Sequence, residues 1–477
     1  VTVPAARTGG EIEARLALAD PRRIPRELLA RYATRGPRYT SYPTAPHFGP
    51  VDLDALHERW RARNRLERDP GLSVYVHIPF CRARCLFCGC HTHVRKDPAR
   101  VSPYVDDLHA EMDSVLEVVD PARPVRQVAL GGGTPNFLLL GDMDRLLAGI
   151  ESRLHLAPGA ELSAEIDPRT VTTEMLDLLL AHGFNRLSLG VQDFDPGVLA
   201  NIRRPQEGLQ VEAVVDHLRA TGCRELNFDL VYGLPGQDAR TAGRMARRTL
   251  SLAPTRIALY NYAHVPWLKP HQRKLEAHGL PDPALKATIQ GTVAEALVRD
   301  GYLPVGMDHF ARPDDPLARA LERGTLTRNF MGYTTGRGLD LLAFGASGIS
   351  AVGSTYAQAD RALEGWRQAV RAGRSAVVRG FLLDREDEVR RELILDLFCN
   401  FRVDLGRLAE RWSFDVRGAV ADDLTRLSPL VDDGLVRLEG DVVEVTARGR
   451  PFIRNVCMTF DAYLEHDTVE RRYSKTL

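Results

Sequence analysis

Residues 161–192 read ELSAEIDPRTVTTEMLDLLLAHGFNRLSLGVQ. The first part, ELSAEID (161–167), is a short β-type run. TTEMLDLLLAHG (172–183) then spaces its leucines at helical intervals and stops at Gly183, and RLSLGVQ (186–192) is a second β-type run. Outward from this unit the pattern repeats between about 70 and 310. Further β-type runs are SVYVHIPF (73–80), VRQVAL (125–130), ELNFDLVYG (225–233), RIALYNYAHV (256–265) and YLPVGMDHF (302–310), with helical patterns at QVEAVVDHLRATG (210–222) and ARTAGRMARRTLSLA (239–253). Strand alternating with helix implies a parallel sheet in an α/β fold. Periodicity leaves open a doubly wound sheet or a full or partial TIM-like barrel. In either, ligands gather at the carboxyl edge of the strands, where each delivers the chain to its following loop.

Two other segments flank this region. RYATRGPRYTSYPTAPHF (31–48) is rich in Pro, Tyr and Thr and weak in periodicity, which fits an ordered arm. Beyond about 370, RRELILDLFCNF (390–401) and ADDLTRLSPLVDDG (421–434) are helical, and LVRLEGDVVEVTARGRPFIRNV (435–456) reads as a hairpin and a last helix, a winged-helix outline. Its mixed charges favour a lid or interface over a DNA reader. The expected division is an N-terminal arm at 1–55, a barrel with its extension at 56–370, and a smaller, mainly helical domain at 371–477.

At 477 residues the chain suits a barrel of about 250 residues plus attachments. Its 63 basic and 63 acidic side chains cancel, so no global field draws it to nucleic acid or an anionic membrane. No apolar run reaches membrane-spanning length, and the first residues do not read as a secretory signal. A cytoplasmic monomer is the expectation.

Four of the seven cysteines, Cys81, Cys85, Cys88 and Cys90, fall within ten residues of YVHIPFCRARCLFCGCHTH (75–93), directly after the first strand. That layout suits ligands better than disulfides. A [4Fe-4S] cube usually takes four cysteines, so three thiolates, Cys81, Cys85 and Cys88, leave one iron open. S-adenosylmethionine can fill that corner through its amino and carboxylate groups, and one electron from the cluster then breaks its S–C bond. On local spacing, structural zinc held by Cys85, Cys88, Cys90, His91 and His93 is the alternative. Cys90 fits a fourth ligand, a redox partner or a bystander. Cys223, Cys399 and Cys457 sit among apolar neighbours and read as small buried hydrophobes.

Polar residues recur at later strand ends. VRQVAL runs into Gly131, Gly132, Gly133, Thr134 and Pro135, where missing side chains let the backbone approach a ligand. Glu165 ends the third strand and suits a ribose or ammonium. Gln192, Asp193 and Asp229 repeat that placement, though each alone reads as a cap or turn residue. Arg204, after the fourth strand, pairs with a ligand carboxylate or lies on the surface.

At these residues the sequence resembles the radical S-adenosylmethionine superfamily and, within it, the oxygen-independent coproporphyrinogen III oxidase family. The likeness spans nearly the whole chain: PRYTSYPTA (37–45), YVHIPFC with CGC, GGGTP (131–135), EIDPR (165–169), GFNRLS (183–188), GVQDF (190–194), DLVYGLP (229–235), NYAHVP (261–266), GMDHFARPDD (306–315), GYTT (332–335), CNFR (399–402), DGLV (433–436) and IRN (453–455). It implies a curved, partial (β/α)6 barrel with an arm and a helical C-terminal domain. It also implies cluster ligation by Cys81, Cys85 and Cys88, and a cleaved S-adenosylmethionine held by Tyr75, Gly132 and Glu165. A second S-adenosylmethionine would lie at Phe87, Gly133, Thr134, Gln192, Arg204, Asp229, Ala263 and Ile349. The chain departs from the family where Arg203, Arg204, Pro205 and Gln206 stand in place of an Asn-Arg pair before a glutamine.

The implied reaction takes a β-hydrogen from a propionate of coproporphyrinogen III. The propionate then loses an electron and carbon dioxide to leave a vinyl group; two propionates react and two S-adenosylmethionines are consumed. The electron donor would be a flavodoxin or ferredoxin. Four substrate carboxylates call for local cations, with Arg38, Arg312, Arg328 and His309 as candidates, and the arm bearing Tyr39 and Tyr42 would cover the site. Heme-binding or trafficking relatives and heme-degrading relatives share the cysteine loop and the barrel; Cys90 and the arm resemble the oxidase. The alternative of another class is a zinc-bearing, DNA-binding regulator.

Overall fold

A computed structural model describes residues 9–205, 208–223, 225–464 and 473–476. Six strands run parallel in chain order: β1 (Leu72–Ile78), β2 (Val125–Gly132), β3 (Leu156–Ile166), β4 (Arg186–Gln192), β5 (Glu225–Tyr232) and β6 (Arg256–Asn261). Helices 103–116, 140–153, 173–181, 208–220 and 239–252 connect them. The result is a partial (β/α)6 barrel, the fold the resemblance implies and one of those the strand and helix pattern left open. The opening unit shows why. Thr172 caps the helix by accepting from the Met175 N–H, Leu176 and Leu179 enter the core, and Gly183 at φ +81° turns the chain into β4.

The sheet continues beyond the barrel. β7 (Leu303–Val305) and β8 (His309–Ala311) form a hairpin antiparallel to β6. β9 (Asp340–Phe344) returns parallel to β1, followed by antiparallel β10 (Ile349–Val352), β11 (Thr355–Ala359) and β12 (Val377–Leu382). The order across the sheet is β12-β11-β10-β9-β1-β2-β3-β4-β5-β6-β8-β7. YLPVGMDHF is therefore two strands and not one. Gly306 makes the turn at φ +60°, and any side chain there would strike the Tyr333 ring. The last sheet strand also lies beyond residue 370, where the sequence pattern divides the chain.

A second core joins the C-terminal helices to a small sheet of β13 (Arg402–Asp404), β14 (Val436–Glu439) and β15 (Val442–Val445), in the order β13-β15-β14. The arm belongs to this core. Tyr39 and Tyr42 are buried in it; the Tyr39 hydroxyl donates to Asp461 at 2.9 Å and the Ala462 N–H donates to the Tyr42 hydroxyl at 3.3 Å. The two tyrosines thus anchor the arm in the second core. From the same arm, Arg38 donates to the Asn261 carbonyl at the end of β6, 3.3 Å away.

Candidate active site

The cysteine loop leaves and rejoins the barrel at one point, because Phe80–Cys81 pairs in parallel with His93–Val94. A segment after β6 clamps it from the other side. Lys269 donates to the Cys90 carbonyl at 2.9 Å, His271 Nε2 lies 2.9 Å from the Cys88 carbonyl, and Gln272 donates to the Phe87 carbonyl at 3.0 Å. Phe87 and Leu86 rest on a small apolar cluster with Val198, Leu199 and Ile202. Sequence reading missed this clamp, since residues 269–272 carry no periodic signal.

The thiols differ. The Cys81 sulfur lies 3.4 Å from the Thr134 hydroxyl, and burial pushes its thiol up to about 11. Cys88 is hydrogen-bonded to the Cys90 thiol, which holds it down at about 6 against burial. Cys90 is exposed as a residue, yet its thiol turns inward to Cys88. Cys223, Cys399 and Cys457 are buried.

His91 and His93 stack edge to face at 5.2 Å, with His77 6.1 Å from His91. Among the described residues, no three His, Cys, Asp or Glu side chains converge on one ion. The tetrahedral zinc alternative therefore lacks a preformed cage. Thiolates that each take a separate iron of a cube need no such convergence.

Beside the loop, β2 ends in a glycine floor. A Cβ on Gly131 would lie 3.0 Å from both the Tyr75 ring and the Glu165 carboxyl, and one on Gly132, at φ +112°, would enter the His77 ring. The Gly132 N–H donates to Glu165 at 3.0 Å, and the Tyr75 hydroxyl lies 3.0 Å from His77 Nδ1. Tyr75, Gly132 and Glu165 are thus brought together, as the resemblance implies. His77 is the partner that sequence reading overlooked, although its alternation with Tyr75 along β1 signals it.

Glu165 is exposed to a recess between strands; the enclosing walls, with Asp229 nearby, raise its carboxyl to about 7. A cavity of about 190 Å³ lies against Tyr75 and His77 and is also lined by Phe330, Met331 and Ile349. Only Ile349 of those last three is a sequence candidate.

The remaining candidates line the next strand ends. Arg204 is buried, not on the surface. It donates to the Gly190 carbonyl at 2.6 Å and to Asp167 at 3.2 Å, and its Nη1 lies 3.6 Å from the Cys85 sulfur. Gln192, at φ +70°, and Arg204 both crowd the space above Gly190. Asp229 pairs across from Gly190 and accepts from Ser188 at 2.9 Å and Asn227 at 2.9 Å; burial raises its carboxyl. Asp193 is fully buried and accepts from the backbone N–H groups of Phe194 and Asp195 and from Gln237, so it shapes the turn. Gly133 backs onto Phe80, and Ala263 is half-buried just beyond β6. Gln206 lies outside the described residues.

Of the four substrate-grip candidates, Arg312 is misplaced. It extends from the amino end of β6, pairs with Asp300 at 2.9 Å and stacks on Tyr302, because β8 runs antiparallel and carries it away from the carboxyl edge. Arg38, Arg328 and His309 stay near that edge. His309 pairs with Asp308 at 2.7 Å and packs between the rings of Tyr260 and Tyr333.

The donor set fits the two groups. Three soft thiols stand on one loop, and next to them a side-chain-free floor, which any Cβ would fill, is walled by an aromatic and a carboxylate suited to an aminoacyl sulfonium compound. The Radical SAM superfamily profile matches residues 75–248 and the HemN C-terminal domain profile matches 383–452. Oxygen-independent coproporphyrinogen III oxidase of Bradyrhizobium diazoefficiens is 41% identical over 90% of this chain and 95% of its own. That of Escherichia coli K12 is 40% identical over 94% and 98%. The solved structure described as "Coproporphyrinogen III oxidase (HemN) from Escherichia coli is a Radical SAM enzyme" superposes with a TM-score of 0.86 at 40% identity, covering 92% of this chain and 99% of that one. With relatives this similar along almost its full length, the chain belongs to the oxygen-independent coproporphyrinogen III oxidase family of radical SAM enzymes.

Proposed function

We propose that the chain carries out the anaerobic oxidative decarboxylation of two propionates of coproporphyrinogen III to vinyl groups, giving protoporphyrinogen IX. The observation that carries this reading is the meeting of the three-thiol loop with the Tyr75–Gly132–Glu165 floor at one strand edge, in a chain about 40% identical to coproporphyrinogen III oxidases. When bound and reduced, a [4Fe-4S] cluster would supply the one-electron chemistry by which S-adenosylmethionine becomes a hydrogen-abstracting reagent.

This chain's own residues hold and align. Cys81, Cys85 and Cys88 ligate the cluster. Gly132 presents backbone to the aminoacyl end of the cleaved S-adenosylmethionine, Glu165 accepts from its ammonium or ribose, and Tyr75 with His77 walls its other side. A second S-adenosylmethionine would be held by Phe87, Gly133, Thr134, Gln192, Arg204, Asp229, Ala263 and Ile349. Arg204 supports that assignment because its Nε is buried without a partner.

The reductant would be a flavodoxin or ferredoxin, met by Arg82 and Arg84, both exposed on the cysteine loop. No helix among the described residues is long and apolar enough to cross a membrane. We place the barrel's end after β12, at residue 382, where the HemN C-terminal domain match begins.

The test is anaerobic turnover of cluster-loaded protein with S-adenosylmethionine, a reductant and coproporphyrinogen III. Protoporphyrinogen IX is expected. Formation of 5′-deoxyadenosine without decarboxylation, or tight heme binding without conversion, would overturn the substrate assignment.

A further inference from the structure

Arg328 is 8% exposed, and its Nε and Nη1 are buried without a hydrogen-bond partner. Among the described residues it has no carboxylate within salt-bridge distance. Its guanidinium lies 4.7 Å from the Tyr333 ring and 5.4 Å from that of Phe398. These rings and the cross-strand pairing of Arg328 with Tyr333 hold the fork in one orientation. A buried cation with open donors is costly, and a fixed fork of N–H groups matches a carboxylate.

The charges around it reinforce this. Asp308 feels both Arg328 and Arg38, and Arg454 feels Arg38, Arg328 and Asp308. Arg454 is itself spent on the backbone carbonyls of Pro37, Ser474 and Lys475. Three cations thus share one region, and Asp308, already paired with His309, is the anion among them.

The position is right for a substrate already held at the other end of the edge. Arg328 belongs to a hairpin, 327–334, whose tip delivers Phe330 and Met331 to the cavity beside Tyr75 and Ile349. The buried Tyr260 hydroxyl feels the charges of Asp229 and Glu165 as well as those of Asp308 and Arg328, and its ring packs on His309, the partner of Asp308.

We propose that Arg328, with Arg38 beside it, is an anion socket that grips a propionate carboxylate of the tetracarboxylate substrate. This rests on the substrate assignment above. The socket sets which propionates reach the floor at Glu165 by pinning another one at a fixed distance across the edge. Asp308 opposes overbinding and orients His309.

The experiment uses the full chain and two probes, coproporphyrin III and its tetramethyl ester, with binding read by porphyrin fluorescence in cluster-free protein. Wild type should favour the acid over the ester. Arg328→Met should weaken acid binding by about 30-fold and leave ester binding within about threefold, with Arg328→Lys intermediate. In cluster-loaded enzyme, the same Met variant should raise KM for coproporphyrinogen III while substrate-free cleavage of S-adenosylmethionine stays at the wild-type rate.

Equal acid binding by wild type and a cooperatively melting Arg328→Met would overturn the socket. So would a wild type that binds acid and ester equally, which decides the matter even if the variant does not fold. Failure of wild type to convert coproporphyrinogen III at all would instead strike the substrate assignment.

Discussion

The two ends of the strand edge treat a carboxylate in opposite ways. Near the cysteine loop, Glu165 is raised to about 7 by its enclosure and by Asp229. Under the C-terminal domain, burial pushes Asp308 the same way, yet the His309 hydrogen bond and the Arg328 and Arg38 charges hold it down to about 2. One end is electronegative and suits a sulfonium and an ammonium; the other is electropositive and suits a carboxylate. A formal net charge of zero conceals a dipolar chamber.

The largest effect should come from the sulfurs that build the first end. Cys85→Ala should abolish cluster assembly and all product formation, measured as iron and sulfide content and protoporphyrinogen yield. Cys90→Ala should keep its iron, because the Cys90 thiol is directed at Cys88 as a hydrogen-bond partner. Loss of iron in both variants would make Cys90 a ligand and erase the distinction.

These two ends were not equally legible. Cys81, Cys85 and Cys88, Gly131–Gly133 and Glu165 lie at the ends of successive strands, so strand order alone places them together. The other end is assembled from Arg38, Asp308, Arg328 and Arg454, which are brought together by a second core spanning the arm and the C-terminal helices. No local period encodes such long-range packing. That is why Arg312 passed for a site residue: the run around it reads as a parallel strand, and only the Gly306 turn reverses it. Tyr39 and Tyr42 were likewise illegible as anchors, since the pocket that holds them is built from distant C-terminal residues.

Two buried arginines sharpen the contrast. Arg204 spends its Nη groups on Asp167 and the Gly190 carbonyl, although Asp167 also keeps a two-pronged pair with Arg169, so Arg204→Leu should remove charge-assisted hydrogen bonds and cost about 2 kcal/mol. Arg328→Met removes a cation with unmatched donors, and the change in cluster-free protein should stay within about 1 kcal/mol. Denaturant unfolding of the two variants measures the difference. Equal losses would mean that Arg328 has a structural partner.

Glycines make a smaller version of the same comparison. A Cβ on Gly133 would sit 2.8 Å from the Phe80 carbonyl oxygen, at the root of the cysteine loop, so Gly133→Ala should cost about 2 kcal/mol and impair iron uptake. Gly332, at the tip of the 327–334 hairpin, has φ +116° and open space around it. There Gly332→Ala should cost about 1 kcal/mol from backbone strain alone and leave iron uptake unchanged.

The smallest effect tests the polarity of the first end directly. With its folded-state value raised above the ordinary 4.5, Glu165 contributes stability that is whole below about pH 4.5 and is lost as pH rises through about 7. Glu165→Gln has no proton to lose, so it should match wild type at pH 5 and exceed it at pH 8. Because the carboxylate keeps contact with water in the recess, screening reduces the gap to about 1 kcal/mol. Asp229→Asn removes one of the causes, and in that background the gap at pH 8 should shrink. A gap that is flat from pH 5 to pH 8 would show that the recess solvates Glu165 as bulk water does, and the opposite polarity of the two ends would then rest on the arginines alone.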